Sequence, residues 1–104
     1  MPAVRITVVE KIGMKNLQAE YGSRCYVEGE DTSCDKFKIG DTFTQAKGEG
    51  VPAGFCSWAW ADINRDVEAI KFGGSFPWIK APHTQIACCT DGLRPVFFKI
   101  EKID

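Results

Sequence analysis

The chain has 104 residues, 44% hydrophobic and 26% charged, the size and balance of one globular domain spanning residues 1–104. Thirteen Lys and Arg stand against 14 Asp and Glu, for a formal net charge of -1, and the basic residues are scattered, so the electrostatic footprint of a nucleic-acid binder is excluded. No segment approaches the roughly 20 apolar residues of a membrane span, and "MPAVRITVVEKIG" lacks a signal-peptide run; a cytoplasmic protein with no membrane partner is expected.

In chain order, "VRITVVEKI" alternates Val4, Ile6 and Val8 with Arg5 and Thr7, the period-2 pattern of a half-buried strand. "MKNLQAEYG" predicts a two-turn helix of good helix formers, ended by Gly22 in a left-handed conformation. Ser23 to Lys38 is polar and reads as a long loop. "FKIGDTFT" predicts a turn at Gly40-Asp41 and a short strand with Phe43 inward and Thr42 and Thr44 outward. Three glycines and a proline in "KGEGVPAG" then break regular structure.

The strongest helix pattern runs over residues 56–72. Cys56, Trp60, Ile63, Val67 and Ile70 make one apolar stripe, and Gly73 and Gly74 stop it. A second stripe holds Trp58, Asp62, Arg65, Ala69 and Phe72, with Asp66 one turn from Asp62. "TQIACCT" and "VFFKIEKI" are strand-like runs around Asp91-Gly92. Pro95 cannot donate a ladder hydrogen bond, so a loop from Thr90 to Pro95 is preferred over a tight hairpin. The order of elements predicts an α+β fold, a small, mostly antiparallel sheet with the one main helix packed across a face and the first and last strands paired centrally.

"PAGFCSWAWADI", "FGGSFPW" and "CCTDGLRPVFFKIEK" resemble the signature segments of a family of small uncharacterised proteins from prokaryotes and some fungi, with motifs of the type G-F-C-x-W-A-W-x-D and C-C-T-D-G-x-R-P-V. The resemblance extends over most of the chain, including "KIGDTF". It implies cysteines before the lysine-glycine-aspartate turn, at the helix start and at the end of the strand before an aspartate, matching Cys34, Cys56 and Cys89. No activity comes with it.

The five cysteines, Cys25, Cys34, Cys56, Cys88 and Cys89, are odd in number and irregular in spacing, which argues against a disulfide framework, and no C-x-x-C knuckle is present. Cys56 reads as packing on the apolar stripe or as a site residue, whereas Cys34 has no packing reason to be a cysteine and is expected to be the more accessible. Neighbours on a strand face opposite ways, so only one of Cys88 and Cys89 can face the helix; Cys89, next to the loop, is the one expected at a site. Cys34, Cys56 and Cys89 together would draw one thiol each from loop, helix start and strand end, as ligands for a metal such as zinc or iron or as contacts for a soft small ligand.

The expected pocket lies between the 56–72 helix, the Gly73–Trp78 turn and the Thr90–Pro95 loop, with Trp58, Asp62, Trp78, Asp91 and Arg94 as ligand-binding residues. Two alternatives stand beside this binding module. One is a structural or homo-oligomeric protein whose cysteines are core packing. The other is a small enzyme using Asp62 and Asp91 as acid and base. His83 is the single histidine and reads as a strand-entry residue.

Overall fold

The computed structural model describes residues 3–23, 32–46 and 48–103. Strands β1 (Ala3–Lys11), β2 (Thr42–Ala46), β3 (Thr84–Cys88) and β4 (Val96–Lys102) form one sheet, with helices α1 (Lys15–Tyr21) and α2 (Ser57–Lys71) placed between strands along the chain. The order is β2-β1-β4-β3, every pair antiparallel, so the two longest strands lie at the centre as the alternation predicts. In the β1–β4 ladder Ile6 faces Ile100 and Val8 faces Phe98, and the register slips at a bulge between Val8 and Glu10.

One face of this sheet carries Val4, Ile6, Val8, Val96, Phe98 and Ile100, all buried, and α2 packs across it. The buried line of α2 is Ala59, Ile63, Val67 and Ile70. This corrects the predicted stripe at its start. Cys56 is the N-cap rather than a helical residue, and Trp60 is only partly buried. Phe55 enters the core just before the helix, in the place that the stripe assigned to Cys56, so the small Ala59 is the buried residue of the first turn and Trp60 packs edge-on against Phe55 at 5.7 Å. Gly54 makes this possible, because its left-handed φ of 79° allows the turn in which the Phe55 N–H bonds the Pro52 carbonyl at 3.1 Å.

The other end of α2 closes as expected. Gly73 adopts φ 94°, and the N–H groups of Gly73 and Gly74 bond the carbonyls of Ile70 and Ala69, satisfying the last turn as in a Schellman motif. Gly22 behaves differently from the expectation. It is extended (φ -76°, ψ 152°), and its N–H still closes α1 on the Gln18 carbonyl at 2.8 Å, so no left-handed residue is needed. His83 immediately precedes β3 at φ 51°, its N–H bonded to Ser75 Oγ at 3.0 Å.

Residues 24–31, and with them Cys25 and part of the predicted loop, lie outside the described residues. The end of that loop is well anchored: Phe37 is buried between Phe43, Phe55 and Phe98, with ring centroids at 5.9, 5.2 and 5.2 Å. Among the described residues no helix is long and apolar enough to cross a membrane.

Candidate functional site

Three segments meet at the amino end of α2: the strand-entry segment around Cys34–Phe37, the first turn of α2, and the loop joining β3 to β4. They enclose an open cleft of about 660 Å³, within the range of small-ligand sites. Cys34, Asp35, Lys36 and Phe37 line it from the first segment, Cys56, Ser57, Trp58 and Ala59 from the second, and Cys89, Thr90, Asp91, Gly92, Arg94 and Val96 from the third. Six residues singled out in the sequence therefore line one cavity: Cys34, Cys56, Cys89, Trp58, Asp91 and Arg94.

Asp62 and Trp78 do not line it. Asp62 lies behind the rim and accepts hydrogen bonds from the Thr90 N–H (2.7 Å) and hydroxyl (3.0 and 3.1 Å). Trp78 packs on Phe76 beyond the carboxyl end of α2 and is 69% exposed. A 15-residue helix puts about 20 Å between its ends. The Gly73–Trp78 turn thus belongs to the opposite end of the molecule from the cleft, and its place is taken by Cys34–Phe37. No family model, curated protein or solved structure matches the chain.

Each wall is held by local chemistry. Asp91 folds the β3–β4 loop as its Oδ1 accepts the N–H groups of Leu93 (2.9 Å) and Arg94 (3.1 Å), while Oδ2 accepts the Arg94 Nε–H at 3.3 Å. Trp58 is 65% exposed, yet its indole is pinned: Nε1–H donates to Thr90 Oγ1 at 3.0 Å, and Thr90 is in turn held by Asp62. Both acids proposed for acid–base work are thus engaged in shaping the loop. Gln18 joins two walls, donating from Nε2 to the carbonyls of Thr32 (3.0 Å) and Leu93 (2.8 Å), and Lys11 Nζ donates to the Cys34 carbonyl at 3.0 Å. Sequence reading missed Gln18, although a glutamine on the inward side of so short a helix was the available signal.

The thiols differ in setting. Cys89 is 8% exposed and its sulfur accepts the Val96 N–H at 3.3 Å. Cys34 and Cys56 are both half-buried against the core, which removes the expected contrast in accessibility between them. The Cys34 sulfur accepts the Lys36 N–H at 3.4 Å. Cys56 caps α2 without a side-chain hydrogen bond to it, and the first turn has no acidic residue, so the helix presents its amino end to the cleft uncompensated. Among the described residues no three His, Cys, Asp or Glu side chains are gathered closely enough to hold a metal ion.

Cys88 points to the other face of the sheet and is exposed. Burial of part of its surface, then the neighbouring Cys89 and Asp62, push its thiol above the ordinary value of 9.0. Folding therefore favours the protonated thiol, and this group's contribution to stability falls as pH rises through the unfolded-state value. Alkylation of Cys88 by iodoacetamide, followed by peptide mass mapping, should still be accelerating steeply at pH 9.0, where an unperturbed thiol is half-ionised. A rate that levels off below that pH would contradict the assignment.

Proposed function

We propose that this protein is a small binding module whose cleft takes a soft small ligand through the thiols of Cys34, Cys56 and Cys89, with Trp58 as a fixed aromatic wall and Arg94 and Lys36 on the rim. The observation that supports this most is the sorting of the cysteines: three thiols from three separate segments line one cavity, while Cys88, adjacent to one of them, faces away. Core packing alone gives no reason for three sulfurs to border the same open volume. The resemblance noted from the sequence points to the same three positions, which we take as part of this proposal.

Cadmium(II), a soft probe that two thiolates can hold with water filling its other positions, tests it by calorimetric titration of the reduced protein. One equivalent should bind the wild type and Cys88→Ser, with at least about tenfold weaker binding to Cys56→Ser and Cys89→Ser. Unchanged affinity in both Cys56→Ser and Cys89→Ser would remove the thiols from the site. Stoichiometric zinc or iron in protein purified without an affinity tag would identify the ligand as a metal.

Self-association is a second reading, favoured by Phe72 and Trp78, which are 67% and 69% exposed near the carboxyl end of α2. Sedimentation equilibrium separates the two, since a monomer at all accessible concentrations leaves that surface without this role.

A further inference from the structure

The cleft is built for more than passive contact with a soft atom. Of its three sulfurs, two are held by backbone donors: Cys89 by the Val96 N–H and Cys34 by the Lys36 N–H. Cys56 differs, because its sulfur makes no capping bond to the helix it begins and the thiol is half-buried at the edge of the cavity. A thiol so placed is open to an incoming sulfur atom along the cavity. A disulfide seated in the cavity lies beside that thiol, and such proximity raises the rate of exchange.

The rim matches a zwitterionic peptide in size and charge. The exposed Lys36 can receive a carboxylate, Asp35 can receive an ammonium group, and the pinned Trp58 ring offers an apolar side, while Arg94, paired with Asp91, holds the wall opposite. A cavity of about 660 Å³ accommodates one arm of a peptide of a few residues.

We infer that the cleft binds low-molecular-weight peptide disulfides and that Cys56 exchanges with them. This rests on the soft-ligand reading of the same cleft. In the step, Cys56 Sγ, having lost its proton, attacks one sulfur of the bound disulfide. A Cys56–sulfur bond forms as the disulfide bond breaks, and the departing thiolate takes up a proton. The balance is one protein thiol plus one disulfide giving one mixed disulfide plus one free thiol, so the ligand is itself the oxidant and no other is required.

Glutathione disulfide is the probe. The reduced, full-length protein is mixed with it near neutral pH, quenched with acid at intervals, and mapped by peptide mass spectrometry. Cys56 should be modified at least about tenfold faster than Cys88, as a glutathione adduct, and dithiothreitol should reverse it. Cys88 is exposed, but its raised thiol slows it near neutral pH, so the urea-unfolded protein is the second reference: Cys56 should react faster in the folded chain than in the unfolded one. Cys56→Ser should abolish the fast reaction while keeping the fold, because serine is a favoured N-cap residue, and circular dichroism checks this. Faster or equal modification of Cys88, or an unchanged rate in Cys56→Ser, would overturn the exchange. If cadmium still binds the cleft thiols but Cys56 is untouched by glutathione disulfide, exchange fails and soft-ligand binding stands. If both results are negative, both fall.

Discussion

Ile63→Asp is expected to leave the protein unfolded at 25 °C, whereas Arg65→Asp should leave it folded with a stability change within about 0.5 kcal/mol. Ile63 is 0% exposed, in the middle of the line by which α2 contacts the sheet. A carboxylate there meets Ile, Val and Phe side chains and no partner, and the cost of burying it, more than about 4 kcal/mol, approaches the whole stability of a domain this size, roughly 5–10 kcal/mol. Arg65 is exposed on the far side of the same helix. Far-UV circular dichroism with urea titration distinguishes the two, and equal tolerance would mean that α2 presents a different face to the sheet.

The second large effect is expected at Phe37→Ala, at about 3–5 kcal/mol by urea denaturation. Phe37 anchors the segment that carries Cys34, and its ring meets three other phenylalanines edge-on. Truncation should therefore lower stability and also weaken cadmium binding, because the Cys34 wall loses its hold on the core. Trp78→Ala, a larger deletion at an exposed position, should cost under about 1 kcal/mol and leave cadmium binding unchanged. A Phe37→Ala protein as stable as the wild type would show that this segment is not part of the core.

The legible parts of the fold were those with a period. The alternation of Val4, Ile6 and Val8 located β1, the glycine pair after Lys71 ended α2, and Pro95 argued correctly for a long loop before β4. Period-2 geometry also separated Cys88 from Cys89. Phe37 and Phe55 escaped because they enter the core from irregular segments, where no repeat marks a side chain as inward. The phase of α2 was set by this hidden pair: with Phe55 already in the core, Ala59 rather than Trp60 faces the sheet.

The same blindness to tertiary placement explains the site. Sequence order places the Gly73–Trp78 turn directly after α2, and nothing local reveals that the β3–β4 loop returns to the helix's beginning. That return follows from β3 pairing antiparallel with β4 at the sheet edge, with Cys88 opposite Phe97 and the Cys89 N–H bonded to the Val96 carbonyl. It brings Cys89, Asp91 and Arg94 to Cys56 and Trp58, and it leaves Trp78 at the far end.

Nuclear magnetic resonance of the 15N-labelled protein during cadmium(II) titration tests the central claim most directly, because it locates the soft-ligand site without any substitution. Amide shifts should concentrate at Lys36, Phe37, Ser57, Trp58, Thr90, Gly92 and Arg94, while Lys99 and Glu101 on the open face of the sheet stay in place. Shifts centred instead on Ile86, Cys88 and Phe97 would contradict it, placing the reactive sulfur on the opposite face and leaving the three-thiol cleft without a ligand.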